Sequence, residues 1–250
     1  MKKLLLAFAV VALGGAAIRA ASDETERVHR AVKFEPGGTL RLKSFSGRVT
    51  ITAADTNEIV IDAVRRGTRD RLDHIKLDIH SDGSTVYVDA NKRTDSWWFA
   101  HNNVVETDFD ITVPRRANLD VNVFSAAVTV DGVEGSHKVG GFSSRIRLQD
   151  VTGSIKAHTF SGPVEIRAKG WKDGQNVDVD TFSGNVTLQV PETARGMVTF
   201  NSFSGHLNSD LPLTLHNGGR RSLRAELGSH GEGGGTLRFK TFSGSVKIDR

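Results

Sequence analysis

The chain has 250 residues, a formal net charge of +4 and no cysteine, which excludes disulfides, thiolate metal sites and a lipobox-type lipid anchor. Without residues 1–20, which hold Lys2, Lys3 and Arg19, the balance is 30 basic against 29 acidic groups; a net of +1 argues against nucleic acid and against a strongly charged membrane surface as partners. The 26 glycines and the lack of long helical periodicity exclude a helical protein.

The first twenty residues read as a secretory leader: "MKK", an apolar run to Ile18, then Ala20 and Ala21 before the polar "SDETE". A retained membrane anchor is the competing reading. No later apolar run is long enough to span a bilayer. Residues 21–113 hold a first bent strand pair, "TLRLKSFSGRVTI" from Thr39 to Ile51. After it come "EIVIDAV", "HIKLDIH", "STVYVDA" and "VVETDFDITV", with a helical turn expected in "RRGTRDRLD". Their alternation at period two predicts strands that cap one end of a stack. Within this part, "TDSWWFAHNN" carries Trp97, Trp98, Phe99 and His101 in a polar loop. Aromatic faces in a loop suit contact with a glycan or protein; the bland alternative, favoured here, folds them back as an end plug. Pro114 marks the boundary to residues 114–250.

That second part repeats. An "xFSx" bend recurs with Phe45, Phe124, Phe142, Phe160, Phe182, Phe203 and Phe242, and Gly47, Gly162, Gly184, Gly205 and Gly244 close most copies. Ala126 and Ser144 stand in for the glycine in two of them, so the corner does not demand positive φ at every level. Alternating apolar residues flank each bend, and "DGVEG", "QDVTG", "KGWKDGQ" and "PETARG" close the units. Two strands and a bend cannot bury their inner faces alone, whereas stacked copies share one core. The expectation is an all-β parallel β-solenoid with rungs of about 18–22 residues, right-handed by the general preference for right-handed crossovers, with an N-terminal β cap. A β-sandwich is the alternative. Counting alternation forward into the bend points Phe160 outward, and counting back from Ile166 and Val164 points it inward; an inward core ladder is favoured.

Aligning rungs in chain order places His158, Asp180 and Asn201 on consecutive levels, with Lys240 later. This outward ladder resembles part of a hydrolytic site, but no nucleophile is singled out, and a solvated ladder is the stronger reading. Lys156 beside Asp178 and Arg147 beside Glu165 read as exposed cross-rung ion pairs. His74 and His80 are too far apart along one strand to chelate alone, so no metal and no cofactor is expected. Trp171 reads as a surface feature of a longer rung. Residues 213–235 read as one expanded, loop-bearing level with "GEGGG" as flexible linkage, not a phosphate loop.

The stretch from "FDITVPRRANLDVNVFSAAVTVDGVEG" to "HTFSGPVEI", with the closing "SFSGHLNSDLPLTL" and "TFSGSVKI", resembles the bacterial adhesin-like β-strand-repeat proteins, a domain of unknown function labelled "putative adhesin". The resemblance spans roughly residues 39–250. It implies an exported, repetitive β-solenoid and brings no catalytic or cofactor residues with it. The functional expectation is an exported, periplasmic or cell-surface, non-enzymatic binding or scaffold module, with an envelope protein or a glycan as partner. Self-association is the second reading and a carbohydrate-active β-helix enzyme the third. Membrane involvement is expected only through export.

Overall fold

The computed structural model describes residues 23–93, 104–219, 221–228 and 234–250. The expected leader, residues 1–20, lies outside the described residues, and among these no helix is long and apolar enough to cross a membrane.

After β1 (Glu24–Lys33), β2 (Thr39–Ala54) forms one level by itself, a long strand bent at its "FSG". Its period-two pattern puts Leu40 and Leu42 before the bend, and Val49 and Ile51 after it, fully inside. The capping elements follow: β3 (Glu58–Gly67), α1 (Arg69–His74), β4 (Ile75–Asp82), β5 (Thr85–Arg93) and β6 (Glu106–Pro114). Helix α1 fills the expected turn and starts at Thr68, whose hydroxyl accepts from the Arg71 N–H at 3.4 Å. β5 and β6 pair in parallel with the two halves of β2, so together they make the level beneath it. β1 on β3, β3 on β6, and β4 on β5 are antiparallel, which covers the open end. The buried Arg65 of β3 locks this cap by donating to the Glu26 carboxylate and the Ile75 carbonyl.

On the other side of β2, β7 (Asn118–Asp131) stacks in register along the whole bend. β8 (His137–Ser143) with β9 (Ile146–Val151) forms the next level, then β10 (Ile155–Ser161) with β11 (Val164–Ala168), then β12 (Asn176–Ser183) with β13 (Val186–Gln189). All these level-to-level pairings are parallel. They build straight inward columns, such as Leu42, Val121, Val139, Ala157 and Val179, in one continuous core. Each fully buried aliphatic side chain contributes roughly 1.5–3 kcal/mol, so the stack, rather than any single level, carries the stability.

The last levels do not follow chain order. β14 (Gly196–Ser202) and β15 (Leu207–Ser209) make the terminal level, and β16 (Leu213–Gly218) and β17 (Ser222–Leu227) form a hairpin whose second strand lies antiparallel on β14. The chain then returns as β18 (Gly235–Thr241) and β19 (Val246–Asp249), which insert between β12–β13 on one side and β14–β15 on the other. The sheet is mixed, parallel through the levels and antiparallel in the expected N-terminal cap. One expectation is corrected at the other end, where residues 213–227 are a second, antiparallel cap rather than a loop-bearing level. The column beside the bend therefore reads His158, Asp180, Lys240, Asn201, because Lys240 pairs with both Asp180 and Asn201.

Candidate binding surface

The bend is built from its inward residue. Thr159, Thr181 and Thr241 are buried just before the phenylalanine, and each hydroxyl donates to a carbonyl of its own corner: Thr159 to Ser161 at 3.0 Å, Thr181 to Gly184 at 2.9 Å, Thr241 to Gly244 at 2.7 Å. At Gly184 and Gly244 this satisfies a buried corner carbonyl, and the Ser161 carbonyl also accepts from the Ser144 N–H of the adjacent level at 2.9 Å. The corner glycines serve two purposes. Gly47 and Gly162 hold positive φ, +109° and +126°. Gly184, Gly205 and Gly244 do not, but a Cβ on any of them would come within 2.0 Å of a corner carbonyl oxygen on the adjacent level.

The level of β8 and β9 departs from this pattern twice, and the departures compensate. Gly141 stands where the threonine is expected, and Ser144 where the glycine is. The Ser144 hydroxyl occupies the space over Gly141, where a Cβ would lie 2.5 Å from it, and it donates to the Phe124 carbonyl at 3.4 Å and accepts from the Ala126 N–H at 3.3 Å.

One residue after the inward threonine, the phenylalanine points out. All seven are solvent-exposed, between 38% for Phe45 and 51% for Phe203, which overturns the inward ladder. They form a single file in the order Phe45, Phe124, Phe142, Phe160, Phe182, Phe242, Phe203, with centroids 4.6–5.0 Å apart. The planes are parallel to within 7° except for the 18° of the first pair. The parallel strand repeat of about 4.8 Å sets this spacing, which falls within the range of stacked aromatic pairs. Each inner ring spends both faces on its neighbours and shows solvent only its edge. The outer face of Phe203 is covered by the Arg221 guanidinium, 4.2 Å from the ring centroid.

Beside the file run two outward columns of polar residues. Asp120 pairs with Arg41 at 3.2 Å and with Lys138 at 3.7 Å, and Asp180 pairs with Lys240 at 3.7 Å. A groove of about 590 Å³ lies along the central levels, walled by Phe160 and Phe182 and floored by the strand at Ala157 and Thr159. His158 faces Gly140 on one side and Asp180 on the other, an arrangement that brings it no nucleophile. On the far side of the bend, Arg147 donates to Glu165 at 2.8 Å, the cross-rung pair expected from the sequence. Lys156 stands opposite Asp178 in register.

Trp97, Trp98, Phe99 and His101 fall in segment 94–103, outside the described residues. Trp171 is not a surface feature. It packs against the core, donates its indole N–H to the Arg195 carbonyl at 2.8 Å and braces the turn where β18 starts. His137 escaped notice in the sequence because it sits in an inward column otherwise held by leucine, isoleucine and valine. It is 1% exposed, its Nε2 lies 3.1 Å from the Thr152 carbonyl, and burial pushes its pKa below the ordinary histidine value, against the raising effect of backbone hydrogen bonds. Among the described residues, no group of three or more His, Asp or Glu side chains is placed to hold a metal ion.

A family profile described as "Toastrack DUF4097" matches residues 115–249. A crystal structure of a "putative cell adhesion protein" from Clostridium sporogenes is similar, with a TM-score of 0.54 at 10% identity, covering 90% of this chain and 99% of that one. A "putative adhesin" from Bacteroides fragilis aligns at TM-score 0.37 and 10% identity over 89% and 97% of the two chains. A "putative lipid binding protein" from Parabacteroides distasonis aligns at 0.32 and 11% over 89% and 94%. At these identities the first shows a shared fold, and the other two carry no argument. No curated protein matches.

Proposed function

Because this chain belongs to the Toastrack DUF4097 family, a family named without a function, we propose from its own surface that it is an exported, non-enzymatic binding module of the cell envelope, with the phenylalanine file as its contact surface. One observation carries the reading: seven large apolar side chains, each about half exposed, stand in one uninterrupted line. Scattered exposed apolar residues are ordinary, whereas a contiguous apolar strip of this length marks an interaction site. Export rests on the leader-like first twenty residues. The coil is read as right-handed, on the preference of parallel crossovers. The column His158, Asp180, Lys240 is read as a solvated ladder with one ion pair, and no turnover is assigned to it.

The test is retention of the purified protein on sedimented bacterial envelopes. Retention is expected for the parent chain and its loss for the triple variant Phe142→Ser, Phe160→Ser, Phe182→Ser, with the β circular-dichroism spectrum of both unchanged. Equal retention of the folded triple variant overturns the assignment. Polysaccharide hydrolysis that vanishes in Asp180→Ala overturns the non-enzymatic reading.

A further inference from the structure

We propose that the partner of the phenylalanine file is an anionic lipid surface: the ring edges enter the boundary between head groups and acyl chains while the basic side chains alongside meet lipid phosphates. The inference rests on the binding reading above and names its partner.

The rings themselves narrow the choice. Sugars and nucleobases are held by aromatic faces, and here the inner faces are consumed by neighbours while Arg221 covers the Phe203 end. The outward edges offer apolar contact with a slightly positive C–H rim, suited to acyl chains and to anionic groups above them. Seven rungs at about 4.8 Å make a straight strip roughly 30 Å long and one ring wide, a shape that fits a laterally continuous surface better than a compact ligand.

Charge points the same way. The two outward columns before the phenylalanines carry six basic residues, Arg41, Lys43, Lys138, Lys156, Arg238 and Lys240, and three acidic ones, Asp120, Asp178 and Asp180, a net of +3. On the other flank Arg48 and Arg145 are exposed. From residue 21 onward the whole chain holds 30 basic and 29 acidic groups, so its positive excess is concentrated beside the file. Apolar side chains rimmed by Lys and Arg are the pattern that seats proteins at an anionic interface. A second copy laid on this strip would instead oppose two faces of the same net sign.

Flotation with vesicles of phosphatidylglycerol and phosphatidylcholine, against pure phosphatidylcholine, tests the assignment. The protein is expected to float only with the anionic vesicles and to come off at high salt. The Phe142→Ser, Phe160→Ser, Phe182→Ser variant should partition about tenfold less or worse, and Lys138→Glu with Lys156→Glu about tenfold less. No flotation with anionic vesicles, or undiminished flotation of the folded triple variant, overturns the lipid assignment. If envelope retention still depends on the phenylalanines while vesicles fail, the binding reading stands and only its partner falls; if neither depends on them, both fall. A concentration-dependent dimer that the triple variant abolishes, without vesicle binding, identifies a second copy as the occupant and overturns the lipid.

Discussion

The exchange between Gly141 and Ser144 can be tested by writing the usual corner back into the level that lacks it. Ser144→Gly removes a buried hydroxyl that serves Phe124 and Ala126, at about 1 kcal/mol for the hydrogen bonding and about 0.5–1 kcal/mol for the added backbone freedom. Gly141→Thr places its Cβ 2.5 Å from the Ser144 side chain, an overpacking worth about 1–3 kcal/mol. Independent effects would sum to about 2.5–5 kcal/mol in the double variant. If the two residues substitute for one another, the double variant recreates the corner of Thr159 and Gly162 and lies within about 1 kcal/mol of the parent. The coupling is then about 1.5–4 kcal/mol, well above the additivity error of distant sites. Urea unfolding of all four proteins, with unchanged m-values, reads it directly. A double variant as unstable as the sum of the singles would refute the idea that one hydroxyl is relocated rather than lost.

Phe239→Ala, at a fully buried ring, should cost about 3–5 kcal/mol; Phe160→Ala, which loses two stacked neighbours from a half-exposed ring, should cost about 1–2 kcal/mol, and urea midpoints compare them. Arg65→Ala opens the N-terminal cap and leaves the Ile75 carbonyl without its guanidinium, while the half-exposed Glu26 returns to water, for an expected loss of about 1–3 kcal/mol. His137 is held neutral in the fold, so the unfolded chain takes up the proton first as pH falls. Its stabilising share is whole above the ordinary value of 6.5 and is lost as pH drops below it toward the depressed folded value. Between pH 7.5 and 5 the parent should lose more stability than His137→Leu, and equal losses would show that the ring does not titrate with unfolding.

Much of this architecture is legible in the residues because a solenoid writes its period into the chain. The bend, the inward columns, the Arg147–Glu165 pair and the need for an N-terminal cap all follow from alternation and stacking. The order of the last two levels does not, since parallel strands need register and not adjacency in sequence. The 39-residue step from Phe203 to Phe242 gave one signal, a "TLH" to "RAEL" stretch that alternates without a bend and so belongs to a cap. The direction of the phenylalanines was ambiguous because one residue of register changes inside "TFSG"; the buried threonine hydroxyl, which needs the corner carbonyl, decides it. The basic flank was hidden for a different reason. Whole-chain charge is nearly neutral, and only stacking gathers Lys138, Lys156, Arg238 and Lys240 onto one face.

The insertion of β18 and β19 between two earlier levels has a consequence for how the molecule is made. During vectorial synthesis, residues up to Leu227 emerge before the strands that join β12–β13 to β14–β15. Until β18 and β19 arrive, two sets of strand edges are unpaired and Phe182 has no partner beyond it. Residues 235–249 are therefore a keystone: the chain cannot complete its stack, or its line of rings, before this segment has been delivered.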